Sequence, residues 1–243
     1  ARTPQSSVRW PVWVAAALTF GTGAIDVTTL TRHGGVFSSV ITGNLVLTGL
    51  AFARADSLLL AHTGAAIAGF VLGVAGGARI TGARDPDGPP WPRSVTVVLG
   101  VEFVVLCGFT VGWEAIGTAP RGVVQLGLLT AAAAAMGLQS AAMRGLGVPV
   151  ATTYLTGALT GVIAGWARSA RLPSDRAALT AVVAAVAGAI SGGVLVSIVP
   201  AAVPLLILAP LAAVLAAALY HHRSAGASSP PLPSMQAAAG PAL

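Results

Sequence analysis

Lysine is absent from the chain, and seven acidic residues stand against thirteen arginines in 243 positions. Charged residues make up only 8% of the sequence, whereas a soluble domain carries roughly a quarter. That scarcity excludes an ordinary soluble domain. The arginines sit at the ends of apolar runs and form no basic stripe, so the formal charge of +6 does not point to nucleic acid. One cysteine, Cys107, excludes an intrachain disulfide and a cysteine-based metal site. No Walker or dinucleotide glycine motif occurs, and no two histidines within a span have metal-ligand spacing; His221-His222 is a short doublet near the end. The expectation is a protein that is not an enzyme and holds no cofactor and no metal.

What remains is apolar. Hydrophobic residues make up 55% of the chain, and the mean hydropathy is +0.84. Runs such as Leu58–Ile80, Val95–Val111 and Ala177–Val199 approach the ~20 residues that cross a bilayer. Arg2 and Arg9 before the first run resemble a signal peptide, but the run is long and lacks a clear small-residue cleavage site, which favours a retained helix. Hydropathy and breakers place segments at 9–32, 36–54, 57–80, 94–117, 121–146, 149–168, 176–199 and 201–221. Asp85, Pro86, Asp87, Gly88, Pro89 and Pro90 mark 81–93 as a loop, and Pro149, Pro173 and Pro200 fall at joins. The polar, Pro- and Ala-rich stretch 222–243 reads as a disordered tail, and 1–8 as an amino-terminal one.

The sequence also repeats. Gly23-Ala-Ile-Asp26 corresponds to Gly137-Leu-Gln-Ser140, and at the same offset Phe37–Asn44 falls on Ala151–Ala158, matching Thr42-Gly43 with Thr156-Gly157. Gly76-Gly77 and Gly192-Gly193 match after a shift of two more residues. Two halves are therefore expected, 9–117 and 121–221, each containing a Thr-Gly segment. If both Thr-Gly segments cross, the bundle has eight spans. If both are broken or re-entrant, six spans remain and the second half is inverted. The arginines favour the second arrangement: Arg2, Arg9, Arg79, Arg84, Arg93, Arg144, Arg168, Arg171, Arg176 and Arg223 then share one side, leaving Arg32, Arg54 and Arg121 opposite. By the positive-inside rule both termini are then cytoplasmic. The fold expected is an all-α polytopic transmembrane bundle.

Asp26 lies roughly 20 Å into the first segment at 1.5 Å per residue. An uncompensated carboxylate at depth costs at least about 2.5–3.5 kcal/mol. It reads as a proton- or cation-coupling group, as one end of an interhelical hydrogen bond, or as a residue nearer the interface than the segment boundary suggests. Thr42, Gly43 and Asn44, with Thr156 and Gly157, read as broken-helix elements offering backbone groups to a solute, or as a small-residue packing seam. Ser38, Ser39, Thr152, Thr153 and Tyr154 put hydroxyls just ahead of these motifs. Gln139 and Ser140 stand where the first half has Ile25 and Asp26, which fits one ion site and one solute site, or drift after duplication. Glu102 is a second intramembrane acid, read either as functional or as a structural partner. His62, Glu114 and Arg144 read as interfacial, the tryptophans as an aromatic belt, and Gly64, Gly69, Gly73, Gly188 and Gly192 as helix-packing positions.

At Gly23–Asp26, Gly35–Asn44, Met136–Gln139 and Thr153–Gly157 the chain resembles the YoaK-like family of bacterial inner-membrane proteins. The likeness extends over about residues 10–220; Ser140 stands where that pattern has Asn or Ser. The resemblance implies a multi-pass fold and no particular substrate. The functional expectation is a small secondary transporter or permease with its site between the halves; a channel-like pore and a non-transporting scaffold are the rival classes. The partners expected are membrane lipid and a small solute or ion, with homodimerisation left open by the glycine-rich faces.

Overall fold

The computed structural model describes residues 12–85, 87–116, 120–147, 155–169 and 176–227. Eight α-helices are described: α1 (Val12–Arg32), α2 (Ile41–Arg54), α3 (Ser57–Thr81), α4 (Arg93–Ile116), α5 (Gly122–Gly145), α6 (Leu155–Ser169), α7 (Arg176–Ile198) and α8 (Val203–Ala227). A 3-10 turn at Pro200–Ala202 leads into α8. Six of them (α1, α3, α4, α5, α7 and α8) are long and apolar enough to cross a membrane. Helices suit that setting because every interior backbone donor and acceptor is satisfied within the helix. α2 and α6 have 14 and 15 residues. At 1.5 Å per residue they reach roughly 21–23 Å, short of the ~30 Å hydrocarbon core.

Side-chain ties at the helix ends set the directions. Gln125, in the first turn of α5, donates to the carbonyl of Arg32 at the end of α1 and pairs with His62 near the start of α3. Arg32 in turn donates to the carbonyl of Val196 near the end of α7. His33 stacks on Trp113, close to the end of α4, and Trp113 donates to the carbonyl of Pro200. One end of the bundle, the Arg32 end, thus holds the last turns of α1, α4 and α7 and the first turns of α3, α5 and α8. At the opposite, Arg93 end, Thr96 of α4 bonds His222 of α8, and Gly145 of α5 packs on Thr81 of α3. The chain therefore leaves α1 and enters α3 at the same end, with α2 between them. The segment carrying α6 likewise departs and returns at the Arg93 end. Six helices alternate in direction, and the arrangement in which all eight cross does not occur.

The tightest interfaces are parallel pairs built on glycine. A Cβ at Gly23 of α1 would fall on the carbonyl oxygen of Ala185 in α7, and one at Gly188 on that of Phe20. A Cβ at Gly137 of α5 would fall on the carbonyl oxygen of Phe70 in α3, and one at Gly73 on that of Ala134. Close backbone approach of this kind replaces the hydrophobic drive that lipid removes. Residue for residue, the α1–α7 contacts reproduce those of α5–α3, with Gly23 in the place of Gly137 and Gly188 in that of Gly73. Gly77 and Gly192 also correspond: a Cβ at Gly77 would meet the side chain of Ala141 in α5, and one at Gly192 the side chain of Val27 and the backbone of Ala24 in α1. The alignment of Gly76 with Gly192 is therefore out of register by one residue. Gly69 packs as expected, on Thr130, whereas Gly64 meets nothing within 4 Å.

The apolar core lies chiefly among α1, α4, α5 and α8, where Leu18, Leu99, Leu106, Phe109, Met136 and Val214 are buried. α2 packs on α3, and α6 on α7. α8 continues to Ala227, past the expected end at 221. The amino-terminal tail and residues 228–243 lie outside the described residues.

Candidate functional site

The Asp26 region is a folded-back connection. Gly34 and Gly35, with φ of +87° and +74°, reverse the chain just after α1. A side chain at Gly34 would strike the ring of His62. The strand of loop that follows returns along α1 to the level of Asp26, roughly 9 Å below the helix end. There the carboxylate accepts four hydrogen bonds: Ser38 N (2.9 Å), Ser38 Oγ (2.7 Å) and Ser39 N (2.8 Å) donate to Oδ1, and Ser39 Oγ (2.5 Å) donates to Oδ2. Both serines are buried. Such charge-assisted bonds, aimed by two successive backbone N–H groups, compensate the buried charge locally.

Asn44 fixes the same loop from α2. Its Oδ1 accepts from Phe37 N (3.0 Å), and its Nδ2 donates to Phe37 O (2.7 Å). Gly43 leaves room for the Phe37 ring, 3.3 Å from where a Cβ would stand. The Phe-to-Asn motif is thus a clamp that returns the chain to the Arg32 end. A two-residue turn then joins α2 to α3: Ala55 is left-handed (φ 52°), and Asp56 caps α3 by accepting from Leu59 N. Thr42 is exposed.

The structure does not bring Thr156 and Gly157 to this place. Both are exposed on α6, and Gly157 has open space where a Cβ would be. Thr152, Thr153 and Tyr154 lie outside the described residues. The hydroxyl of Ser140 bonds back to the carbonyl of Met136 in its own helix.

Glu102 and Gln139 meet elsewhere, at the centre of the bundle. With Leu18 and Gly21 of α1, Leu106 of α4, Met136 of α5 and Pro210 of α8, they line a small cavity among the four core helices. Gln139 donates to the hydroxyl of Thr22 (2.9 Å), which itself donates to the carbonyl of Leu18. Glu102 is fully buried, and neither carboxylate oxygen has a hydrogen-bond partner. It lies ten residues into a 24-residue helix, close to mid-span. Pro210, inside α8, lacks an N–H and leaves the carbonyl of Leu206 without its helical donor. The unpartnered carboxyl of Glu102 and the side chain of Gln139 are the polar side chains that line this cavity.

Several expected roles change. His62, near the start of α3, is buried among the helix ends and tied to Leu58 and Gln125. Trp91 and Trp113 are buried and hydrogen-bonded to Thr96 and Pro200, while Trp13 and Trp166 are exposed as a belt requires. Glu114 and Arg144 are exposed near helix ends. Gln125, which ties three helices together, escaped sequence reading because a single Gln near a span start carries no pattern. No cluster of three or more metal-ligating side chains occurs among the described residues.

Helix lengths, end ties and glycine interfaces define a polytopic α-helical membrane protein. The family described as "Protein of unknown function (DUF1275)" matches residues 14–219, and the chain belongs to it. The UPF0700 transmembrane protein YoaK of Bacillus subtilis (strain 168) is 30% identical over 143 residues, covering 58% of this chain and 60% of that protein. The chain thus matches less than two thirds of that relative's length. No solved structure matches.

Proposed function

We propose that this protein is a small secondary transporter or permease, with Glu102 as its proton- or cation-coupling group. The observation that carries the reading is the unpartnered carboxyl of Glu102, buried near mid-span beside a cavity where the four core helices meet. An ionised carboxylate there costs at least about 2.5–3.5 kcal/mol unless something compensates it. A proton or a small cation removes that cost. Gln139 supplies a neutral polar side chain to the same cavity. Asp26, the other intramembrane acid, already accepts four hydrogen bonds from Ser38 and Ser39, which favours an anchoring role.

In this reading the two halves arose by duplication with inversion, which the matched α1–α7 and α3–α5 contacts support. Solute passes when the halves rock about the shared α1, α4, α5 and α8 core. The bacterial inner membrane is its setting. A cytoplasmic Arg93 end is supported by Arg79, Arg84, Arg93, Arg144 and Arg223 there, against Arg32, Arg54 and Arg121 at the other.

The test is thermal unfolding of detergent-purified protein in sodium, potassium and choline salts at pH 5.5 and 7.5, with Glu102→Gln alongside. A ligand bound only to the native state raises stability by RT ln(1 + [L]/Kd). The wild type is expected to show a cation- or pH-dependent midpoint that the variant lacks. Superimposable profiles of the two proteins would remove Glu102 from any coupling role and leave the scaffold class standing.

A further inference from the structure

We propose that the groove between the first turn of α4 and the last turns of α8 holds the phosphate headgroup of an anionic phospholipid. The groove is lined by Arg93, Thr96, Val97, Leu219, His222 and Arg223. Its two guanidinium groups come from different helices, and among the described residues no carboxylate pairs with either. Asp85, in the preceding loop, instead accepts from the backbone N–H of Asp87, and Glu102 is buried two helical turns further along α4.

The groove is built. Trp91 Nε1 donates to Thr96 Oγ1 (2.8 Å), and Thr96 Oγ1 bonds His222 Nε2 (3.0 Å), tying the helices together at its floor. Trp91 is 8% exposed, so the tie is sheltered. The backbone N–H groups of the first turn of α4 add their partial positive charge at the rim.

The pattern of polarity selects a lipid over a free anion. Val97 stands one turn inward from Arg93 on α4, and Leu219 one turn inward from Arg223 on α8. Both are largely exposed, at 54% and 49%. Each helix thus presents a cation at the membrane surface and an apolar side chain about 6 Å nearer the midplane. A phosphodiester with acyl chains satisfies both levels, whereas inorganic phosphate uses only the upper one. Basic pockets between helices on the arginine-rich side suit acidic headgroups. The inference needs the six helices to cross the bilayer, and it is independent of Glu102.

Native mass spectrometry of the intact protein tests it, with dioleoylphosphatidylglycerol, dioleoylphosphatidylcholine and inorganic phosphate as probes. Phosphatidylglycerol is expected to be retained in preference to phosphatidylcholine. Removing both cations in Arg93→Gln/Arg223→Gln should weaken it about thirtyfold, five- to sixfold for each arginine. Arg121→Gln, at the Arg32 end, should leave it unchanged. If the double variant does not yield folded protein, Leu219→Glu places an acid in the groove and should lower retention instead. Equal retention of the two lipids, equal loss in Arg121→Gln, no loss in the groove variants, or displacement of phosphatidylglycerol by an equal concentration of inorganic phosphate would each overturn the proposal.

Discussion

Replacing Asp26 separates an anchoring carboxylate from a coupling one. In Asp26→Ala the backbone N–H groups of Ser38 and Ser39 lose their acceptor inside a buried loop, while the two hydroxyls can turn elsewhere. At about 1–3 kcal/mol for each orphaned donor, the loss is about 2–6 kcal/mol. Asp26→Asn keeps one carbonyl oxygen for the three donors on Oδ1, and Ser39 Oγ can reverse to accept from the new amide. Only charge assistance is then lost, about 1–2 kcal/mol. Thermal unfolding should therefore rank wild type above Asn and Asn well above Ala. A cysteine at Val36, which is fully buried, reports on the loop directly once Cys107 is replaced by Ala. Maleimide should label Val36→Cys slowly in the wild-type background and quickly with Asp26→Ala. An Ala variant with an unchanged midpoint and unchanged labelling would refute the anchoring role. So would Asn and Ala variants of equal stability.

Three further outcomes follow from the same geometry. Gly137→Leu and Gly23→Leu each drive a side chain into a carbonyl of the facing helix, and each should cost about 1–3 kcal/mol or more in thermal stability; near-neutral behaviour of either would contradict the close parallel pairs. Gln125→Ala removes the ties to Arg32 and His62, and hydrogen exchange should show faster opening of residues 33–40 with little change at the Arg93 end. Cysteines placed at Gly35 and at Gly88 should be labelled by an impermeant reagent from opposite sides of oriented vesicles, and labelling from the same side would contradict the six-crossing arrangement.

Hydropathy located the crossing helices closely: 57–80 became Ser57–Thr81, and 176–199 became Arg176–Ile198. Apolar length is what lipid selects for, so composition carries that information. The expected segment 36–54 shortened to Ile41–Arg54, because Phe37–Val40 is spent on the clamp made by Asp26 and Asn44. Hydropathy cannot register that exchange, since Val36, Phe37 and Val40 score the same in a loop as in a helix. Asp26 itself stood out by its depth, whereas its bonds to the serines of the connecting loop did not. Its partners are twelve and thirteen residues away, outside any helical or strand period. For Glu102 the limit is different: sequence gives the depth of an acid but not whether a partner faces it. Only the packed core shows that none does. The six-crossing arrangement was legible in the arginines, because orienting charge is a one-dimensional signal.

The most direct test of the account is charge movement in proteoliposomes on a solid-supported membrane, comparing wild type with Glu102→Gln under imposed proton and sodium gradients. The account predicts a gradient-driven current in the wild type that Glu102→Gln abolishes while the variant still unfolds cooperatively. A current of equal size in the variant would contradict it.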